Sequence, residues 1–127
     1  MAKIYTLLLD GNKIGTSKLE YGDPPMGVVF GDIDFLDKPL TYDFISTYCK
    51  NNGVKAVEYP EDKLINTETI PKLKAVNENG VEIKSLGCCI EGMDSDGFRV
   101  NIIGIPNSIY QQEFPHHIKA YEEKFEN

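Results

Sequence analysis

The chain has 127 residues and a formal net charge of −7, from 13 Lys plus Arg against 20 Asp plus Glu. That length suits one domain, which buries roughly two-thirds of its unfolded surface and needs neither a disulfide nor a metal to fold. Three cysteines make no disulfide framework, adjacent Cys88 and Cys89 cannot bridge each other in ordinary geometry, and no apolar run approaches the roughly 20 residues of a membrane helix.

Met1 to Tyr5 leads straight into an apolar strand pattern with no signal-peptide layout. The expectation is a soluble cytoplasmic protein with reduced thiols, of a kind common among acidic bacterial proteins. Tyr5 to Leu9 reads as a strand, Asp10-Gly11-Asn12 as a turn, and Ile14 to Tyr21 as the returning strand of a hairpin. Asp23-Pro24-Pro25 ends that hairpin, because proline offers no ladder donor and restricts the residue before it. Gly27 to Leu36 reads as a third strand. Period two puts Val29, Gly31, Ile33 and Phe35 on its core face, with Val28, Phe30, Asp32 and Asp34 on the other.

Thr41 to Asn52 has an apolar stripe at helical spacing, made by Phe44, Ile45, Tyr48 and Cys49. Thr41 suits the N-cap, Asp43 the positive end of the helix dipole, and Gly53 the left-handed residue after the last turn. Val54 to Tyr59 reads as a short strand ended by Pro60. Glu61 to Thr69 is polar and without period, which predicts a mobile loop. Asn79-Gly80 signals a type I′ turn between strands Leu73–Val76 and Val81–Leu86.

Two more strands, Gly87 to Met93 and Phe98 to Ile105, flank the turn Asp94-Ser95-Asp96-Gly97. Pro106 breaks the sheet. Ser108 with Gln111 predicts a capping box on a helix through Phe114, and His117, Ile118, Tyr121 and Phe125 predict an amphipathic C-terminal helix beyond Pro115. Connections between the strand pairs are too short for parallel crossovers. The expected fold is therefore α+β: a curved, mostly antiparallel sheet or partly open barrel, with one mid-chain helix and a C-terminal helical segment.

The negative charge is concentrated. Glu20, Asp23, Asp32, Asp34 and Asp37 fall in one stretch without a base, and Glu91, Asp94 and Asp96 in another between Cys88 and Phe98. Setting those eight acids aside leaves 12 acids against 13 bases, so the rest of the chain is nearly neutral. A concentrated acidic field speeds encounter with basic partners and repels nucleic acid and anionic lipid. No basic stripe, glycine-rich phosphate loop or nucleophile-elbow serine is present, and no cofactor is expected.

Cys88 and Cys89 with His116 and His117 suggest a thiol nucleophile and its base, but a strand position near Glu91 raises a thiol pKa instead of lowering it. Adjacent histidines on a helix diverge by about 100°, so they do not form a metal motif. Asp32 and Asp34, on one face of one strand, would stand about 7 Å apart, a spacing that suits either paired acid and base carboxylates or charges that guard a sheet edge. Without tryptophan to build a sugar cleft, the second reading is preferred. Asp94-Ser95-Asp96-Gly97 resembles a fragment of a calcium loop but lacks the later ligands, so it reads as a turn.

These observations favour a small acidic protein-binding module, an inhibitor or immunity protein that neutralises a basic partner such as a nuclease toxin. Glu20, Asp23, Asp32, Asp34, Asp37, Glu91, Asp94 and Asp96 would face that partner, with Tyr21, Phe30 and Phe98 as aromatic anchors. The alternative is a small enzyme or ligand-binding domain with a cavity in the curved sheet and Cys88, Cys89 or His116 at its mouth. A structural subunit of a larger complex is a third reading.

Overall fold

The computed structural model describes residues 3–36 and 42–125. It is an α+β fold built from two antiparallel sheets, with one mid-chain helix and two C-terminal helices. The first sheet has four strands: β1 (Tyr5–Leu9), β2 (Asn12–Ser17), β5 (Asp34–Phe35) and β8 (Leu73–Val76), in the order β5-β2-β1-β8. The second has six: β3 (Tyr21–Asp23), β4 (Val28–Asp32), β6 (Ala56–Tyr59), β7 (Leu64–Thr67), β9 (Gly87–Met93) and β10 (Gly97–Ile103), in the order β3-β4-β10-β9-β7-β6. The expected antiparallel character holds, but among the described residues the strands divide between two sheets and close no barrel.

Alternation explains the division into inside and outside. On β10, Phe98, Val100 and Ile102 are buried while Arg99 and Ile103 are exposed; on β9, Cys88 and Ile90 are buried beside them. The inner face of the small sheet contributes Tyr5, Leu7, Leu9, Leu73 and Ala75 to the same core. Asp10 and Gly11 both have positive φ, as a two-residue type I′ turn requires, and they join β1 to β2 with Leu9 paired to Asn12. An extra residue between Leu7/Leu8 and their partners shifts the register and lets both Ile14 and Gly15 turn inward.

Two expected strands each break in the middle. The Ile14–Tyr21 segment ends in the small sheet at Ser17 and resumes in the large one at Tyr21, and the Gly27–Leu36 segment crosses back at Ile33. Leu19 makes the first crossing with φ 44°, a left-handed geometry that leucine rarely adopts. The Ser17 Oγ accepts its N–H at 3.1 Å, its side chain is fully buried, and its carbonyl lies 2.8 Å from the His117 Nε2.

Helix α1 (Tyr42–Asn51) confirms the expected mid-chain helix. Tyr42, Ile45, Ser46 and Cys49 form its buried face, whereas Phe44 is exposed. Gly53 takes the left-handed position after the last turn (φ 68°), and the Val54 N–H closes on the Cys49 carbonyl. Thr41, the expected N-cap, lies outside the described residues. The Tyr42 N–H instead donates to the Asp94 carboxylate, 52 residues away, at 2.8 Å. Tyr42 Oη and Ser46 Oγ both donate to Glu58 Oε1 at 2.6 Å and tie the helix to β6.

The expected loop from Glu61 to Thr69 contains strand β7 at its centre. Pro60–Asp62 forms a 3₁₀ turn, Lys63 takes the left-handed position (φ 52°), and the chain reverses into a hairpin. The turn at Pro24–Met26 is built the same way, with Gly27 in the left-handed place. At Lys63 no glycine advertises the turn. The expected strand Val81–Leu86 is reduced to a bridge between Val76 and Glu82, made by the bonds from the Ile83 N–H to the Ala75 carbonyl and from the Asn77 N–H to the Val81 carbonyl. Gly80 is left-handed but Asn79 is not, and a type I′ turn needs both; Asn77 Oδ1 organises the loop by accepting from the Asn79 and Val81 N–H groups.

After Pro106 the chain forms α2 (Asn107–Glu113) and α3 (Pro115–Lys124). The Ser108/Gln111 capping box does not form: no side chain caps α2, and Asn107 already lies inside the helix. Phe114, at the joint, is fully buried, with ring centroids 5.6 Å from Tyr5 and 5.4 Å from Tyr110. The expected apolar stripe of α3 reaches the core only through His117 and Ile118. Tyr121 and Phe125 lie one and two turns further on, where the helix has left the sheet; they are 37% and 72% exposed, and their rings meet at a tilt of 54°. Among the described residues no helix is long and apolar enough to cross a membrane.

Phe114→Ala is expected to lose about 3–5 kcal/mol in urea denaturation, because it empties a site bounded on several sides by rings. Phe125→Ala should stay within roughly 0.5 kcal/mol of the parent. Equal losses would contradict the placement of the C-terminal helix.

Candidate functional site

The outward face of the six-stranded sheet carries no helix or second sheet among the described residues. Strand register places its side chains in rows. One row crosses five strands, running Val57, Asn66, Glu91, Arg99 and Asp32. Arg99 thus stands between two carboxylates, and its Nε lies 3.1 Å from Asp32 Oδ1. Its guanidinium also covers Tyr21 at 4.9 Å and Phe30 at 5.8 Å from the ring centroids. Those two rings are cross-strand partners and stack on each other at 5.1 Å.

Beside this row lies an open cleft of about 500 Å³, where Asp32, Glu91, Asp96 and Arg99 meet the apolar Leu64 and Met93. Both turns at that end of the sheet, 60–63 and 94–97, are tied together by a bond from the Asp94 N–H to the Lys63 carbonyl. The opposite end is different in character. Ile103, Val28, Met26 and Leu86 lie there, with Met26 69% and Leu86 84% exposed. The face is therefore uneven along the strands, acidic at one end and largely apolar at the other, where the exposed Asp23 pairs with Val28.

Of the eight acids singled out from the sequence, three meet at this cleft: Asp32, Glu91 and Asp96. Glu20 and Asp34 join Asp32 at a second cleft of about 350 Å³, formed beside the crossings between sheets at Leu19 and Ile33; Lys18 shares it. Asp32 and Asp34 do not occupy one face of one strand, because the chain changes sheets at Ile33 between them. Asp23 is exposed at the end of β3. Asp94 commits one oxygen to the N-terminus of α1, and Asp37 lies outside the described residues.

Two aromatic anchors, Tyr21 and Phe30, lie on the outward face. The third, Phe98, does not: it is 5% exposed and packs edge-on against Phe35 in the core, because its place on β10 has the inward parity of Val100 and Ile102. Sequence reasoning missed Arg99. It follows the second acid-rich stretch by one residue, and only strand pairing brings Asp32 to it. The available signal was its outward parity among three buried neighbours.

Cysteine and histidine are kept apart. Cys88 and Cys89 are on β9, whereas His116 and His117 are on α3 against β3, with β4 and β10 between those two strands. Cys88 is buried, and burial pushes its thiol up to about 11 despite a hydrogen bond with Ser85. Burial and then the charge of Glu91 raise Cys89, while Asn101 acts in the opposite direction. Burial also raises Cys49. Cys89 lines a cleft of about 550 Å³ with Glu68 and Ile103, and His116 does not reach it. Burial, with His117 and Lys3 nearby, lowers the pKa of His116. Among the described residues no three His, Cys, Asp or Glu side chains are grouped to hold a metal.

Comparison with protein-family models, curated proteins and solved structures gives no match to this chain.

All three thiols should alkylate slowly at and below neutral pH, with rates climbing only above the ordinary thiol range near ~8.5. Mass-spectrometric measurement of iodoacetamide labelling against pH checks this for each cysteine. Rapid labelling of Cys89 below neutrality would contradict the environment described.

Proposed function

We propose that this chain is a protein-binding module that docks a basic partner on the outward face of its six-stranded sheet. The supporting observation is the row in which Arg99 is flanked by Asp32 and Glu91 and stacked on Tyr21 and Phe30. Arg99 orders the face. Held by a carboxylate and two rings, it keeps Asp32 and the aromatic ledge in one geometry before a partner arrives, which reduces the ordering cost of binding. Asp96 and Glu91 then offer carboxylates to Lys or Arg, and Tyr21, the more exposed of the two rings, supplies the kind of anchor that carries most interface energy.

An inhibitor of the immunity type, acting in a bacterial cytoplasm against a basic protein such as a nuclease toxin, fits this surface. Carboxylates on rigid strands attract such a target and fill the place of its phosphate ligand. The apolar end of the face, with Ile103 and Leu86, would add water-excluding contact.

The immobilised protein should capture a basic protein from native lysate that elutes as salt is raised. Asp32→Lys/Asp96→Lys should cut capture and flatten the salt dependence, whereas Asp10→Lys, on the remote β1–β2 turn, should leave both unchanged. Asp94 is left intact in this test because it caps α1. Identical capture and salt response by the double variant would remove the outward face from the mechanism.

A further inference from the structure

The four sheet edges are not equally protected. Edge strand β3 packs against α3. Edge strand β8 is shielded by residues 82 and 83, which bridge to Val76 and Ala75, and β5 is only two residues long. Edge strand β6 has no such cover among the described residues. The Glu68 N–H donates to the Lys55 carbonyl at 2.9 Å, so Lys55, Val57 and Tyr59 turn their backbone groups toward β7. By alternation, Ala56 and Glu58 point their N–H and C=O groups away from the sheet. Neither residue's backbone has a partner among the described residues. Val57 and Tyr59, on the outward side of the same strand, are 58% and 56% exposed.

We propose that β6 pairs with β6 of a second copy of this chain, joining two six-stranded sheets across a two-fold axis. The charge order of the strand selects this occupant and its direction. Lys55 precedes the strand, and Glu61 and Asp62 follow it. Antiparallel pairing brings Lys55 of each copy to the acidic end of the other, whereas parallel pairing would set like charges together. With Val57 opposite Val57 of the second copy, Ala56 faces Glu58 in a hydrogen-bonded pair, which satisfies all the free edge groups of both strands. Lys55 then lies against Tyr59 and beside Glu61 of the second copy, and the contact is isologous, so it closes without growing into a fibre. The large sheets become continuous, and the outward face of each copy stays open.

Sedimentation velocity from low-micromolar to sub-millimolar protein tests this. The expected result is a monomer–dimer equilibrium. Lys55→Glu should move its midpoint to about tenfold higher concentration, since two opposite-charge contacts become like-charge ones, and Lys55→Glu/Glu61→Lys should restore it. Ala56→Pro removes an edge donor and should leave a monomer; if it does not fold by circular dichroism, the charge-swap series decides alone. A monomer at every concentration overturns the proposal and leaves the edge to an extended segment of another protein. A dimer indifferent to Lys55→Glu also overturns it by placing the contact elsewhere.

Discussion

The structure depends on the alternation of the central hairpin, β9 and β10. Phe98, Val100, Ile102, Cys88 and Ile90 all point into one core, and a slip of one residue would bury Arg99 and expose Val100. Burying an unpaired guanidinium costs far more than the burial of one further apolar side chain contributes, so the register admits one solution. Once it is set, the outward side chains are set with it. Arg99 lies between Glu91 and Asp32 because their inward neighbours are buried, and the candidate site follows from the core.

A second constraint is that the chain leaves the small sheet after Ser17 and returns to it at Asp34. Leu19 and Ile33 make those crossings next to each other, and they bring Glu20, Asp32 and Asp34 to one cleft. Leu19 holds a disfavoured backbone geometry, and several groups offset it: the Ser17 hydroxyl, full burial of the side chain, and the His117 ring on its carbonyl. The α3 helix therefore does more than cover the core. It pins the crossing from which β3 and Tyr21 start.

Much of the fold was legible because its signals are local. The period of Ile45 and Cys49 with Gly53 behind them located α1, the Asp10-Gly11 pair located the first turn, and alternation located β9 and β10. What escaped depends on distant groups. Leucine at positive φ has no sequence signal, and neither does Lys63 in the place where Gly27 serves in the matching turn. The Tyr121 and Phe125 stripe has helical period, but period cannot show that the helix has run past the sheet. The candidate site was half legible for the same reason. Its acids stand out along the chain, while Arg99, which joins them, acquires its role only across strands, and Phe98 lost its expected role through parity.

Hydroxyl-radical footprinting of the free protein, read residue by residue by mass spectrometry, tests the register most directly. Fast oxidation is expected at Tyr21 and Tyr59 on the outward face, and strong protection at Phe98, Phe114 and Tyr5 inside it. Oxidation of Phe98 at a rate comparable to Tyr21 would contradict this register, because the alternation that aims Arg99 outward would then not hold.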